Sequence, residues 1–479
     1  MSIDAKIEEL FAPVSEKLAE IVFYSVSIGE GLDVKLVLVW LVLASLFLTL
    51  YYGFINLRYF KHAIELVCGK HDKDGGDGQI NRFQALMTSL SGTVGLGNIA
   101  GVAVAVSVGG PGAAFWMFVM GVFGMSTKFT EVALGVKYRH HPDPENPEKI
   151  SGGPMYYLRD GLANKGMASA GKILAAVFAV SLFLGVFGAA SLFQTNQVYG
   201  QLLNITGGET SFFADKAWLF GLFMVFAVGL VIIGGIKSIA AVASRIVPVM
   251  GFIYIAGGLA VIGIHADQIV PALGTIFKSA LAPEAGMGAV FGALLMGVQR
   301  ATFSNESGFG TASIAHAAAK TDSHISQGFV GMLGPFIDTM LICMVTALVI
   351  VISGAHLDSN GLEGVELTSR AFESGIPWFP YVLFAVVFMF AYSTLISWSY
   401  YGVKACTYLF GNSNRVEMIF KIVFCIFIVI GASANLSSVI LFTDSMVFLM
   451  TIPNVIALYI LAPEIKRDLK DYIAKIKSA

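Results

Sequence analysis

The sequence predicts an all-α polytopic membrane protein with about 11 transmembrane helices, built as a 5+5 inverted repeat preceded by one extra N-terminal span. Two observations lead to this fold class: an apolar composition, and two apolar segments that are broken at matching places. The chain has 479 residues, of which 56% are hydrophobic and only 13% charged. Its mean hydropathy is +0.75. The composition excludes an ordinary water-soluble globule and makes the lipid bilayer the expected surroundings.

A bilayer core requires about 20 consecutive apolar residues per helix. The first such segment covers residues 36 to 57, and Arg58 closes it. The further segments are predicted at residues 82–108, 113–139, 171–202, 216–235, 239–264, 286–318, 326–353, 378–402, 416–432 and 439–462. The resulting organisation is an N-terminal amphipathic segment at 1–33, the extra transmembrane helix at 34–58, a first five-helix repeat at 82–264, a second at 286–462, and a tail at 463–479.

The charges predict how the chain is oriented. Residues 3 to 30 carry apolar side chains at helical spacing with glutamates between them, which is typical of an amphipathic surface helix. Most of the 30 Lys and Arg residues lie on the same side as the linker at residues 58–82, in loops or in helix ends that open toward it. Basic residues favour cytoplasmic loops. We therefore expect the N-terminus outside and the C-terminus, with its tail, in the cytoplasm. The net charge of −2 does not indicate the basic surface that binding to nucleic acid requires, so nucleic acid is not an expected partner.

The most informative feature is the pair of breaks. The first lies at residues 92–98, GTVGLGN, and the second at residues 303–310, FSNESGFG. Each opens one group of five spans. An odd number of spans per repeat makes the two halves opposite in topology, and the binding site is then expected where the broken helices meet. Close packing of glycines is the alternative interpretation of either break taken alone.

Unwound backbone in the membrane calls for a ligand, because its free N–H and C=O groups meet no water there. In the first break, the N–H groups of Leu96, Gly97 and Asn98 begin the second half-helix. The positive dipole end of that half-helix suits a carboxylate. The carbonyls near Gly92 and Thr93, at the end of the first half-helix, suit a sodium ion or an ammonium group.

The second break contains a polar run, Ser304, Asn305 and Glu306, that is too costly for a lipid-facing surface. An intramembrane carboxylate is a functional hypothesis by default. Glu306 is therefore a candidate to face a substrate amine, to brace the unwound backbone or to hold a coupling proton, with an internal ion pair to Arg300 as the alternative. Asp338 also lies in the middle of a span, and a coupling role and a structural role are both open for it.

Four further residues have side chains suited to a binding site for a substrate or an ion. Ser393 and Thr394 are adjacent hydroxyls, and oxygen ligands are those that a small alkali ion prefers. Hydrogen bonding between helices is the alternative role for these hydroxyls. Gln194 could cap a substrate carboxylate, and Trp398, one turn beyond Thr394, could close a small pocket. Packing between helices is the alternative role for both residues.

Other signals are absent or ordinary. His316, Glu131 and Lys128 are interpreted as helix-end or intrahelical polar residues without a special role. The four cysteines show no CxxC pair and are interpreted as packing residues. No nucleotide-binding loop or hydrolase motif occurs in a plausible context, so we expect neither an ATP-driven pump nor an enzyme, and no cofactor.

The motifs resemble a known family. The stretches GTVGLGNIAGVA at residues 92–103, FSNESGFGTA at 303–312 and SWSYYG at 397–402 are similar to the alanine or glycine:cation symporter family, the sodium:alanine amino-acid carriers. That family is similar in fold to the leucine-transporter type of sodium symporter. The resemblance implies a secondary transporter that takes up alanine or glycine with sodium by alternating access, in the cytoplasmic membrane of a prokaryote.

The resemblance also implies roles for individual residues. The implied substrate-binding residues are Thr93, Leu96, Gly97, Asn98, Gln194, Phe303, Ser304, Asn305 and Trp398. The implied sodium ligands are Gly92, Gly95, Ser393 and Thr394. Leu96 stands where threonine is common in the family, which leaves the fine selectivity open. A proton-coupled symporter is the first alternative, and a solute channel, which would need a continuous pore, is the second.

Overall fold

The computed structural model describes residues 3–27, 33–70, 76–142, 149–281, 287–357, 362–433 and 436–478. The chain begins with helix α1, Ile3–Val22. Two short strands follow, β1 at Ser25–Ser27 and β2 at Asp33–Lys35, and they pair antiparallel. The amphipathic helix predicted over residues 3 to 30 is therefore shorter than expected, because the chain turns into this hairpin after Val22.

The helices up to the middle of the chain include both halves of the first broken helix. They are α2 Leu36–Tyr51, α3 Ile55–Arg58, α4 Phe60–Val67, α5 Arg82–Thr93, α6 Ala100–Gly109, α7 Gly112–Lys137, α8 Pro154–Tyr156, α9 Ala168–Val186, α10 Phe193–Thr206, α11 Ala217–Ile232, α12 Gly235–Ile264 and α13 Ile269–Leu281. Short 3₁₀ turns lie at Leu96–Asn98, Gly208–Thr210 and Ala266–Gln268, and π-helical segments at Tyr157–Gly161 and Phe187–Leu192.

The helices that follow include the second broken helix. They are α14 Met287–Asn305, α15 Ala312–Ala317, α16 His324–Gly331, α17 Leu333–Pro335, α18 Met344–Ile352, α19 Val365–Glu373, α20 Phe379–Phe410, α21 Asn414–Ser433 and α22 Leu436–Ser478. A π-helical segment at Phe336–Cys343 connects α17 to α18.

The helices confirm a multi-pass membrane protein. In the part of the chain that the structure describes, seven helices are long and apolar enough to cross a bilayer. The pair α5 and α6, bent by 59° at the first break, makes an eighth. Helices α2 and α11 are equally apolar but have only 16 residues each. The count of about 11 spans and the inverted repeat remain predictions.

Several boundaries differ from those expected. The second broken helix stays helical through Asn305, so Phe303 and Ser304 lie in the last turn of α14 rather than in unwound chain. Helix α22 runs unbroken to Ser478, so the residues predicted as a separate tail continue the last span as helix. Helices α13 and α19 were not predicted, because they are short and amphipathic rather than continuously apolar.

Two long helices flank the broken ones. Helix α7 packs against α14, α15 and α16, and helix α20 packs against α5, α10 and α12. Gly121, Gly124 and Gly135 on α7 are buried and let neighbouring side chains approach its backbone closely. Helix α5 begins with a capping box, in which Asn81 and Gln84 each accept a hydrogen bond from the other's backbone N–H. Because α7 packs against α14 and α15, and α20 packs against α5, the two breaks lie between α7 and α20.

Candidate functional site

The first break is held by side-chain amides. The Gly95 N–H donates to Asn98 Oδ1 at 2.9 Å, and the Leu96 N–H donates to Gln194 Oε1 at 3.1 Å. Gln194 therefore contacts the break, and its expected role of capping a substrate carboxylate stays a prediction. The Leu96 amide, expected to meet a substrate carboxylate, is bonded to Gln194 in this structure, whereas Gly97 lines a cavity.

The second break follows a path that a helix cannot take. Glu306 has a φ of 55°, in the left-handed region of the backbone that few residues other than glycine adopt. Gly308 and Gly310 follow with φ of 100° and 79°. A side chain at these glycines would also collide with Leu41 and Pro154, respectively. This backbone needs fixed partners because its polar groups cannot pair along a helix.

Two charged residues of α7 supply those partners. Glu131 Oε1 accepts the N–H groups of Gly308 at 2.8 Å and Gly310 at 3.0 Å. Lys128 Nζ donates to the Glu306 carbonyl at 3.0 Å and lies 3.9 Å from Glu131 Oε2. Both side chains are buried in the protein core and hold the second break in place. The interpretation of Lys128 and Glu131 as residues without a special role was therefore wrong. The sequence did contain a feature that could have indicated this role: two charged residues lie one turn apart within a long apolar helix.

A small cavity lies between the breaks and brings most of the predicted site together. Its lining includes the predicted residues Gly92, Thr93, Gly95, Gly97, Gln194, Phe303, Glu306, Thr394 and Trp398. Ala189, Phe309 and Val447 complete it, and their residue types carry no chemical signal that could have identified them. A Cβ placed on Gly97 would lie 3.3 Å from Phe303 Cδ1, so the two broken helices are in direct contact there.

Glu306 and Trp398 connect the two breaks across the cavity. Trp398 Nε1 lies 3.1 Å from the Gly92 carbonyl oxygen and 3.1 Å from Glu306 Oε1. The Thr311 hydroxyl donates to the other carboxylate oxygen of Glu306. One indole N–H therefore contacts the end of the first half-helix and the acid of the second break at the same time.

Arg300 does not pair with Glu306, so the alternative proposed for that acid is wrong. Its guanidinium forms a buried ion pair with Asp444 of α22, and Gln299 Nε2 donates to the same carboxylate at 2.8 Å. The Arg300 guanidinium also lies 5.6 Å from the centre of the Phe303 ring, which lines the cavity. Glu306 thus keeps its carboxylate at the cavity without a basic side chain paired to it.

The predicted hydroxyl pair lies beside the first break. Ser393 Oγ and Thr394 Oγ1 each donate to the Phe390 carbonyl at 3.0 Å. A Cβ on Gly95 would lie only 2.6 Å from Thr394 Oγ1, so glycine is required for this close approach. Ser91 Oγ, in α5, donates to the Ser393 carbonyl at 2.6 Å. The turn of α20 that carries Ser393 and Thr394 therefore packs directly against α5 and the first break.

The remaining predicted residues do not line the cavity. Asn98, Ser304, Asn305 and Asp338 form an adjacent polar layer that reaches the π-helical segment Phe336–Cys343. In that layer Asn98 Nδ2 lies 3.1 Å from Ser304 Oγ, and Asn305 Nδ2 lies 3.0 Å from Thr339 Oγ1.

Comparison with known proteins shows the family. The model of the sodium:alanine symporter family matches residues 21–479. This chain belongs to that family. The sodium/alanine symporter AgcS of Methanococcus maripaludis is 40% identical over 438 residues, which cover 91% of this chain and 93% of the relative. The probable sodium/glutamine symporter GlnT of Bacillus subtilis is 32% identical, covering 93% of this chain and 89% of the relative.

A solved structure supports the fold. The chain is similar to MhsT, crystallised in complex with L-phenylalanine, with a TM-score of 0.51 and 17% sequence identity. The match covers 78% of this chain and 88% of MhsT, and it confirms the leucine-transporter type of fold. Membership of the sodium:alanine symporter family makes the protein a cation-coupled amino-acid symporter and not an enzyme.

We predict that Glu131→Ala lowers the stability of the folded protein by about 3 kcal/mol, because Lys128 and two amide N–H groups lose a buried partner. Glu131→Gln, which keeps an acceptor oxygen, should lose less. Thermal unfolding of the purified protein in detergent measures both changes. Glu373→Ala, at an exposed position, is the control. An equal melting temperature for Glu131→Ala and the control would contradict the bracing role.

Proposed function

We propose that this protein takes up a small neutral amino acid, alanine or glycine, together with sodium by alternating access. The observation that carries the proposal is the cavity in which the two broken helices meet. Its walls are formed by residues of the unwound chain, among them Gly97, together with the acid Glu306 and the hydroxyl residue Thr394. This combination offers a partner for each end of a zwitterion and for a sodium ion.

The amino acid is expected to bind with its carboxylate toward α6 and its ammonium group toward α14. The Gly97 amide lies in the turn that leads into α6, at the positive end of that half-helix, and the Gln194 side-chain amide lies beside it. On the other side, the Thr93 and Phe303 carbonyls and the Glu306 carboxylate suit an ammonium group. The apolar walls then leave room for only a small side chain.

Sodium is expected beside Thr394. The ligands proposed for it are the Gly92 and Gly95 carbonyls and the Ser393 and Thr394 hydroxyls. Support comes from the close approach of Gly95 to Thr394 and from the shared hydrogen bonding of both hydroxyls to one carbonyl. The Gly92 carbonyl accepts the Trp398 indole N–H and keeps a second lone pair for an ion.

The two breaks also support the proposed 5+5 inverted repeat, because each opens one of the two groups of five segments. In this arrangement α5 and α6 correspond to α14 and α15, and α10 corresponds to α20. Gln194 on α10 approaches the first break and Trp398 on α20 approaches the second, as such a correspondence predicts. We place the protein in the cytoplasmic membrane of a prokaryote, with its N-terminus outside and its C-terminus in the cytoplasm.

Proton coupling is the second candidate. It is favoured by Glu306, whose buried carboxylate has no basic partner, although it accepts hydrogen bonds from Trp398 and Thr311. Uptake of labelled alanine into proteoliposomes, under an imposed sodium gradient or an imposed proton gradient, separates the two mechanisms. Saturation of uptake, and its dependence on either gradient, also separates both mechanisms from a channel.

We predict that Gly97→Val weakens alanine binding at least about tenfold while the protein remains folded. The branched side chain would meet the Phe303 ring and block the approach of a carboxylate to the amide. Binding to the purified protein at saturating sodium measures the effect. Gly101→Ala is the control, because a Cβ at Gly101 meets no atom within 4 Å. Normal affinity in Gly97→Val would rule out the proposed carboxylate site.

We predict that Thr394→Ala, alone or with Ser393→Ala, raises the sodium concentration needed for half-maximal uptake. Alanine affinity should fall at limiting sodium and recover at saturating sodium, because the linkage between the two ligands is reciprocal. Thr407→Ala, on the same helix beyond the cavity, is the control. A fall in alanine affinity at every sodium concentration, with an unchanged sodium curve, would assign these hydroxyls to the amino acid instead.

We predict that glycine and serine compete with labelled alanine, whereas leucine and tryptophan compete at least about tenfold less well. The Phe303 and Trp398 rings and the Val447 side chain leave little space for a longer side chain. The inhibition constants of these four amino acids against alanine uptake test the prediction. Equal competition by leucine and alanine would contradict the proposed pocket size.

A further inference from the structure

Four lysines line another cavity, away from the one between the breaks. It lies among the turn from α11 to α12, the second half of α20, the start of α21 and the segment that precedes α8. Its volume is about 250 Å³, whereas a single water molecule needs only roughly 10–15 Å³. The lysines are Lys149, Lys237, Lys404 and Lys421, and Glu417 is the one acid among the described lining residues. This basic cavity therefore has an excess of positive charge.

The protein does not neutralise this charge at Lys404 or Lys421. Lys404 Nζ donates to the Ile150 carbonyl at 2.8 Å and to Ser151 Oγ at 2.9 Å, and both of these oxygen atoms are uncharged. No described carboxylate, that of Glu417 included, lies within ion-pair distance of Lys404 or Lys421. Positive charges that are gathered in one cavity repel each other, so an anion in the cavity would be stabilised.

The basic cavity lies at the depth where lipid headgroups are expected. Helices α12 and α21 are both long and apolar enough to cross a bilayer. Lys237 lies in the first turn of α12 and Lys421 in the second turn of α21, so both lysines are close to the end of a span. The neighbouring Ile233, Ile419 and Ile422 are exposed, as expected of side chains that face acyl chains.

The proposed orientation places this end of the spans on the cytoplasmic side. The cytoplasmic leaflet carries anionic lipids, and basic pockets between membrane helices on that side bind their headgroups. We propose that the basic cavity binds the phosphate headgroup of an anionic phospholipid, with the acyl chains against the exposed apolar side chains of α11 and α21. The side of the membrane rests on the proposed function. A soluble phosphate would share the charge but would make no use of these apolar neighbours.

A lipid in the basic cavity would contact several helices of the transporter at once. Helix α20 carries Tyr400 and Lys404 at the basic cavity, and one or two turns earlier it carries Trp398 and Thr394 at the cavity between the breaks. The same headgroup would lie against the first turn of α12 and the start of α21. Binding would therefore stabilise the arrangement of these three helix ends, and the melting temperature should rise with lipid concentration.

The test measures binding of a defined lipid to the full-length protein. The protein is purified in a neutral detergent, freed of its own lipid and titrated with phosphatidylglycerol or with phosphatidylcholine. Native mass spectrometry counts the bound molecules. We expect one phosphatidylglycerol to bind at least about tenfold more tightly than phosphatidylcholine, which has a phosphate group but no net charge.

Charge changes at the basic cavity should shift this affinity in opposite directions. Lys237→Gln and Lys421→Gln should each weaken phosphatidylglycerol binding about fivefold. Glu417→Gln removes the acid and should tighten binding. The double variant Lys172→Gln with Lys470→Gln is the matched control, because both lysines are exposed on the proposed cytoplasmic side and do not line the cavity. Its affinity should equal that of the wild-type protein.

Three results would overturn the proposal. One is equal binding of the two lipids by the wild-type protein, which needs no variant to fold. Another is unchanged affinity in both lysine variants, or the same loss of affinity in Glu417→Gln as in them. The third is displacement of phosphatidylglycerol by an excess of inorganic phosphate that itself raises the melting temperature, which would assign the cavity to a soluble anion. The assay involves no uptake, so its outcome is independent of whether alanine uptake requires sodium.

Discussion

The structure depends on one constraint: backbone that is unwound inside the membrane must find a hydrogen-bond partner other than water. Each break meets this requirement with a side chain from a neighbouring helix. Gln194 on α10 accepts the Leu96 N–H of the first break, and Glu131 on α7 accepts the Gly308 and Gly310 N–H groups of the second. Each orphan group would otherwise cost several kcal/mol in hydrocarbon. The breaks persist because these side chains, together with Asn98 and Lys128, replace the missing helical hydrogen bonds.

This bracing leaves part of the unwound backbone for ligands. Gly97 and Glu306 line the same small cavity, and the Trp398 indole bridges its two sides. Close contacts between the breaks, and between the first break and α20, are possible because Gly95 and Gly97 lack side chains. A change in the packing of either broken helix would therefore alter the substrate contacts and the proposed sodium contacts together, which is the physical basis for coupling.

Much of the candidate site was predictable because intramembrane polar groups are costly and therefore informative. Glu306 was selected on that basis, Thr394 as an oxygen ligand and Trp398 by its place one turn beyond Thr394, and the structure places all three at one cavity. The same reasoning applied to Lys128 and Glu131, but their role was missed. A charge in the middle of a helix identifies a constraint, yet it does not reveal which backbone segment folds against it. Ala189 and Val447 carry no polar signal, so only their position in space connects them with the site.

The sequence by itself determined the membrane environment, the family and the two breaks, because these follow from local composition and from motifs that contiguous residues carry. Only the tertiary structure decided the partners. Arg300 pairs with Asp444 rather than with Glu306, although Glu306 is far nearer along the chain. Asp338 meets Ser304 from another helix, and its second carboxylate oxygen stays unpartnered. Partnership between charges depends on distances across packed helices, and helix packing brings together residues that are hundreds of positions apart in the chain.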